Sequence, residues 1–289
     1  VQMGGALADQ LTHFFKLNHT DRRLVLMAGI SAGFASVFGT PLAGAVFALE
    51  VLAIGRLRLD ALLPCVLAAV MADQVGLWWG VQHTPYVLHE VPNITLWLLL
   101  AMVLAGAAFG LAGKLFADGT HALSGWMKKH IAYAPLRPLL GGAVIATVVM
   151  YGDFHRFIGL GIPVMLEAFQ HPLDVTDAIG KAVFTIVSLG SGFKGGEVTP
   201  LFYMGATLGN ALAPLLDVPF ALLAAVGFVA VFAGAANTPI ASTLMAMELF
   251  GAELGVFAAL ACTMSYVCSG HSGIYRAQRV HARKTDGLS

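Results

Sequence analysis

Charge is scarce in this chain. Charged residues make up 11% of the 289, where a soluble domain carries about 25%. The few present balance at 16 basic and 16 acidic, so nothing favours a polyanion, and a nucleic-acid partner is excluded. So thin a set of charges leaves a water-soluble fold with apolar patches that aggregate, which rules out an ordinary cytosolic enzyme. A disordered chain is ruled out as well, because 58% of the residues are hydrophobic. Cysteine is also rare: Cys65, Cys262 and Cys268 lie in apolar stretches, make no disulfide framework and are expected to be buried and inert. What remains is a multi-pass membrane protein.

Long clean spans are the next thing in short supply. A helix needs about 20 apolar residues to cross the hydrocarbon core. Residues 60–81 read as a span, and so do residues 94–117, with Asn93 or Thr95 near the start and Lys114 near the end. The other apolar stretches are broken or short. Residues 24–54 are interrupted at Gly39-Thr40-Pro41, and 198–216 carry Pro200 near their start. Residues 219–236 run into Asn237-Thr238-Pro239 before 240–250 continue; 136–152, 178–190 and 252–268 complete the set. Inside lipid, a broken helix is tolerated only where protein covers it or where it lines a polar cavity. Repeated breaks therefore point to a site near mid-membrane. Gly and Pro are also simply common in membrane helices, which is the plainer explanation for any one break.

The two ends differ. Val1-Gln2-Met3-Gly4-Gly5 has no basic leader and is not a signal peptide; it reads as a chain entered in mid-element, with an N-terminal truncation expected. After Tyr275 the sequence turns basic, with Arg276, Arg279, Arg283 and Lys284. By the positive-inside tendency that tail is cytoplasmic; a solvated tail without topological meaning is the alternative.

The chain repeats itself. Gly39-Thr40-Pro41-Leu42-Ala43 through Glu50 recurs as Asn237-Thr238-Pro239-Ile240-Ala241 through Glu248, with Thr, Pro, Ala and Glu matching at a constant offset of 198. Gly29, Ala32 and Ala35 fall on Gly227, Ala230 and Ala233 at the same offset, and Met3-Gly4 matches Met204-Gly205 at an offset of 201. Paired broken segments in two halves point to a transporter's substrate site, and an odd number of spans between the copies would invert one against the other. Glu50 and Glu248, near helix ends in both copies, are expected to serve as structural hydrogen-bond acceptors.

One segment carries chemistry: Gly195-Gly196-Glu197-Val198-Thr199-Pro200, followed by Leu201-Phe202-Tyr203. The glycines allow a tight turn and close approach to a ligand. Pro200 suits the first turn of a helix, where its missing N–H costs nothing, and Thr199 is then placed at the N-cap. The free N–H groups of that turn, with the helix dipole, make an anion site. At mid-membrane such a site replaces the water around a small halide. Glu197 is an ionisable residue in apolar surroundings, a functional candidate by default; it carries protons or repels an anion according to its charge. A membrane-surface turn, and for Glu197 a plain acceptor of neighbouring amides, are the alternatives.

These residues resemble the CLC family of anion channels and anion–proton antiporters. Gly195 to Pro200 match the frame of its glycine-glycine-x-phenylalanine-x-proline signature. Val1 to Gly5 resemble the stretch that follows its glycine-arginine-glutamate-glycine signature. Gly39 to Gly44 match a further motif, and Tyr275 matches the late tyrosine before a basic tail. The resemblance spans nearly the whole chain, with the motifs in the same order. It implies an all-α polytopic fold of inverted repeats with broken and re-entrant helices, a homodimer with one pore per subunit, and an anion path lined by Gly195, Gly196, Glu197, Val198, Thr199 and Tyr275. Val198 stands where the family has phenylalanine, Glu197 is acidic, and Val51 replaces a second internal glutamate; these departures resemble the fluoride–proton antiporter branch, where the acid and threonine matching Glu197 and Thr199 are implicated in ion handling. The family's gating glutamate is expected before Val1, so the chain as given is not expected to gate or couple protons.

Other patterns are weaker. No His-Glu-x-x-His spacing exists, since His89-Glu90 lacks its second histidine; His121, His130, His155 and His171 are expected in loops or near Asp and Arg, and no metal is implied. Lys194 precedes the paired glycines with no Lys-Ser/Thr after them, so no nucleotide loop is read. Trp78, Trp79, Trp97 and Trp126 suit an interfacial belt. Phe47, Phe202, Phe228 and Phe232 could edge an anion with their positive rims, although core packing is the expected role.

The expectation is a multi-pass inner-membrane transporter, not an enzyme, without a cofactor. It moves a small halide, fluoride before chloride, in exchange for protons across the lipid bilayer. A CLC-type chloride channel or chloride–proton exchanger is the alternative; a membrane-embedded hydrolase and a structural scaffold are disfavoured. The chain divides into a first repeat (1–55), connecting transmembrane helices (56–177), a second repeat with the anion-site helix start (178–270), and a final helix start with a basic tail (271–289).

Overall fold

Two of the places where this chain stops and restarts its helices are set by proline, Pro41 and Pro239. A computed structural model describes residues 1–88, 91–152, 154–275, 278–281 and 284. Its helices are α1 (Gln2–Phe14), α2 (His19–Phe38), α3 (Pro41–Glu50), α4 (Leu62–Trp78), α5 (Leu96–His130) and α6 (Leu136–Tyr151). They continue with α7 (Ile162–Glu167), α8 (Val175–Gly190), α9 (Val198–Leu216), α10 (Phe220–Ala236), α11 (Pro239–Phe250) and α12 (Gly255–Cys268). Two-residue strands β1 (Ala53–Ile54) and β2 (Arg279–Val280) pair in parallel. The breaks at Pro41 and Pro239 are built alike. Gly39 and Asn237 end the preceding helices in the left-handed conformation (φ 66° and 60°), and the prolines take the first helical position, where no N–H is needed.

The start of α3 and the start of α11 are completed by side chains from each other's helix. Glu248, near the end of α11, accepts from the Leu42 and Ala43 amides at 2.8 Å each. Glu50, the last residue of α3, accepts from the Ile240 and Ala241 amides at 3.1 and 2.9 Å. The next amides, Gly44 and Ser242, reach the Thr40 and Thr238 carbonyls. All the first-turn donors are thus paired, with a carboxyl group at the positive end of each dipole. Each glutamate sits at the end of its own helix and at the start of the other, so α3 and α11 run antiparallel. Every residue in this exchange has its counterpart at the offset of 198, so the two copies are inverted with respect to each other. The structural role expected for Glu50 and Glu248 is the one they hold.

The helix pairs inside each repeat also cross alike. A methyl group on Gly205 would overlap the Gly227 carbonyl of α10, and one on Gly227 would overlap the Gly205 carbonyl; Gly4 and Gly29 relate α1 to α2 in the same way. Only glycine lets these backbones touch, the close approach that packs helices in lipid. Phe34 and Phe232, again equivalent, meet at 6.2 Å, and Phe47 stacks on Phe34 at 4.5 Å. α10 is buried along Leu222–Ala236 between α5, α9, α11 and α12, as expected of a helix that is apolar all round.

The outer helices expose apolar faces. Leu100, Leu104, Leu111 and Leu115 form one exposed stripe on α5. α5 runs 35 residues, about 52 Å at 1.5 Å per residue, well beyond the 94–117 span. It continues because Phe116, Ala117, Thr120 and Met127 keep one face buried, and it ends at Lys128, Lys129 and His130, cations suited to the negative end of the dipole. Thr95 caps its start, accepting from the Leu98 amide. The four tryptophans are all exposed, Trp78 and Trp79 most of all (82% and 76%). Cys65 and Cys262 are buried and Cys268 is half-buried; all three are free.

Several expectations need correction. His121 lies within α5, not a loop, and its Nε2 lies 2.8 Å from the Gly273 carbonyl; its apolar neighbours continue the helical face past Lys114. His130 is the last residue of α5 and His155 opens a 3-10 turn. The helix start expected within 271–289 is not found among the described residues, where Arg279–Val280 is strand. There the Arg279 and His281 amides pair with Leu52 and Ile54 carbonyls, which holds the backbone extended. Lys284 folds back to donate to the Tyr266 carbonyl and Ser269 hydroxyl at the end of α12. Arg276, Arg283 and His89-Glu90 lie outside the described residues.

Candidate functional site

All six residues singled out in the sequence line one cavity of about 610 Å³: Gly195, Gly196, Glu197, Val198 and Thr199 from the start of α9, and Tyr275 from beyond α12. Its opposite wall comes from the first repeat, with Gly4 of α1 and Ser36 and Phe38 of α2. Residues separated by most of the chain meet here because the inverted repeats bring α1–α2 and α9–α10 together.

The start of α9 differs from the starts of α3 and α11. Helix α9 begins at Val198, and no side chain caps it among the described residues. Thr199 is therefore its second residue and not the N-cap; Glu197 takes the N-cap position, at φ −98° and ψ −20°. Taking Pro200 as the first helical residue placed the boundary two residues late; anywhere in a first turn the proline ring meets no preceding carbonyl, and the helix begins at Val198. The Leu201 amide reaches the Glu197 carbonyl at 3.4 Å, and Pro200 contributes no N–H. An uncapped helix start turned toward a cavity is suited to an anion.

The tight turn also falls elsewhere than expected. Gly192, at φ 105°, takes the positive-φ conformation, whereas a methyl group on Gly196 would meet nothing within 4 Å. Gly196 thus contributes open space and not a strained backbone. The Gly195–Gly196 pair faces a second cavity as well, of about 590 Å³, lined also by Lys181, Lys194 and Thr185. The turn is a wall common to two hollows, one on the Tyr275 side and one on the Lys181 side.

Lys181 and its surroundings escaped the sequence reading. Its ammonium is buried and donates to the Phe157 and Gly159 carbonyls at 3.0 and 2.7 Å, over the ring of Tyr203 at 5.1 Å. Beside it Arg156 binds Asp177 through Nε and Nη2 (2.6 and 3.0 Å) and Glu167 at 2.9 Å. A lysine inside the apolar stretch 178–190 was the available signal; Arg156, in the connecting segment, gave none.

The aromatic residues are core. Phe202 stacks on Phe228 at 4.3 Å, and Phe232 lies 5.8 Å from Phe47. Phe38, edge-on to Phe202 at 5.3 Å, is the phenylalanine that lines the cavity.

Comparison with known proteins agrees with this architecture. The chain is 65% identical, over 97% of its length, to a chloride/fluoride channel protein of Pseudomonas syringae pv. tomato, and it covers 63% of that relative. It is 29% identical over 86% of its length to the H(+)/Cl(-) exchange transporter ClcA of Vibrio parahaemolyticus, covering 56% of it. The chain thus spans less than two thirds of these curated relatives. The crystal structure of a CLC-type fluoride/proton antiporter superposes with a TM-score of 0.93 at 34% identity, over 96% of this chain and 71% of that one. A slow cyanobacterial Cl-/H+ antiporter shares the fold, with a TM-score of 0.76 at 22% identity over 93% of this chain and 66% of that one. The family model described as voltage gated chloride channel matches residues 1–270, and with inverted repeats joined through Glu50 and Glu248 the chain belongs to that family of integral membrane proteins.

Proposed function

We propose that this protein carries a small halide, fluoride in preference to chloride, across the inner membrane in exchange for protons, with Gly195, Gly196, Glu197, Val198, Thr199 and Tyr275 around the anion. The observation that carries the reading is the start of α9, which opens on a cavity lined by Thr199 and Tyr275 and meets no side-chain cap among the described residues. Fluoride is small and strongly hydrated, so it leaves water only for a site dense in hydrogen-bond donors. Helix N–H groups and two hydroxyls within one cavity are of that kind. A protonated Glu197 adds a donor, and an ionised one repels the anion, which ties anion occupancy to proton occupancy. The Pseudomonas syringae relative is called a chloride/fluoride channel protein and the solved relative a fluoride/proton antiporter. The matching family also favours a homodimer, and the positive-inside tendency favours a cytoplasmic basic tail.

The test is efflux from liposomes holding the full-length protein, followed with fluoride-selective and chloride-selective electrodes while a dye reports internal pH. Fluoride release exceeding chloride release, with protons moving the opposite way, is expected. Faster chloride release favours the chloride channel or exchanger, and no release of either ion ends the proposal.

A further inference from the structure

The segment that brings Tyr275 to the cavity is fastened on both sides of that residue to the end of α10. Ahead of it, the Ile274 amide donates to the Ala235 carbonyl at 2.9 Å. Behind it, the Gln278 amide donates to the Tyr275 carbonyl at 3.1 Å, and the Gln278 side chain makes three more bonds. Its Nε2 donates to the Ala236 carbonyl at 2.6 Å and to the Val51 carbonyl at 2.9 Å. Its Oε1 accepts from Asn237 Nδ2 at 2.9 Å. Ala236 ends α10 of the second repeat and Val51 follows α3 of the first. One side chain therefore joins both inverted repeats beside the residue that enters the cavity.

We infer that Gln278 is a positioning residue that holds Tyr275 against the anion cavity by bridging the ends of α3 and α10. The inference rests on the halide-transport reading for its consequence, but not for its geometry. The Tyr275 ring packs against the apolar core and meets Phe47 edge-on at 6.3 Å, while the bonds at Ile274 and Gln278 set where its backbone enters the cavity wall. The group required at 278 offers two donors and one acceptor on a planar amide, which among side chains of this length is glutamine. Glutamate keeps the shape but turns a carboxylate on two carbonyl oxygens. Asparagine is one methylene too short to reach both.

The experiment reads geometry and transport separately. 3-Fluorotyrosine is placed at position 275 of the full-length protein, and its 19F resonance is recorded in detergent for the parent, Gln278→Ala, Gln278→Asn and Gln278→Glu. One narrow line is expected in the parent and a shifted, broadened or split line in the variants. Fluoride efflux is then measured against fluoride concentration, with and without Tyr275→Phe. In the Tyr275 background the half-saturating fluoride concentration is expected to rise about threefold to tenfold, as for a lost hydrogen bond. In the Tyr275→Phe background Gln278→Ala should change it little. A merely structural role would lower the amount of active protein without this dependence on the phenol. An unchanged resonance in Gln278→Ala and Gln278→Glu overturns the inference, and so does a rise that persists in full without the Tyr275 hydroxyl. If the parent moves neither halide, the transport reading fails, and the resonance alone decides whether Gln278 holds Tyr275.

Discussion

Thr199 from the start of α9 and Tyr275 from beyond α12 both line the cavity, and both bear a hydroxyl able to donate to a bare anion. A hydrogen bond to a charged partner contributes roughly 1.5–3 kcal/mol, so Thr199→Ala should slow fluoride efflux about tenfold or more, while Thr199→Ser, which keeps the donor, stays within a few-fold of the parent. Equal efflux from the alanine variant and the parent would remove Thr199 from the ion path. The sequence singled out Thr199 from the order of a glycine pair, an acid, a threonine and a proline, and Tyr275 from the family resemblance; the structure brings both to one cavity. The exact helical position of Thr199 was not legible, because proline suits the first helical position and is equally tolerated later in the first turn, where its ring meets no preceding carbonyl. Gln278 was not legible at all. Its partners are backbone carbonyls at Val51 and Ala236, and a carbonyl carries no mark of its own in a sequence.

At the scale of elements, the antiparallel pair α3 and α11 is held by two carboxylates that exchange ends. Removing one leaves two helix amides without their acceptor, at roughly 1–3 kcal/mol for each buried group. Glu50→Ala should therefore lower stability by about 2–5 kcal/mol, read as a fall in the thermal midpoint in detergent. Glu248→Ala should cost less, because the Leu42 amide it serves is exposed and the Ala241 amide served by Glu50 is buried. Glutamine, which keeps one acceptor, should recover part of the loss at either site. Midpoints indifferent to both alanine substitutions would mean that the paired caps do not hold the repeats. The constant offset of 198 announced that the two elements are equivalent. It did not say that each completes the other, since reciprocal capping needs the copies to lie antiparallel and in contact.

For the whole molecule, the scarcity of charge and the leucine stripe on α5 require lipid around the outer helices, and the four exposed tryptophans fix the level at which the bilayer ends. Trp78 and Trp79 at the end of α4 and Trp97 at the start of α5 should be quenched best by lipids brominated near the headgroup. Maximal quenching by lipids brominated at the chain ends would show that the helices sit at another depth. The sequence by itself determined the solvent, the helical class, the places where helices break, and the duplication, because each is written in composition or in short-range pattern: apolar content, proline positions, and a motif that recurs. The tertiary structure alone decided that the copies are inverted, that Glu50 and Glu248 exchange partners, and that the start of α9 opens on the cavity that Tyr275 also lines. Those features depend on groups brought together from distant parts of the chain, and for backbone amides and carbonyls, which every residue carries, only the folded arrangement says which ones meet.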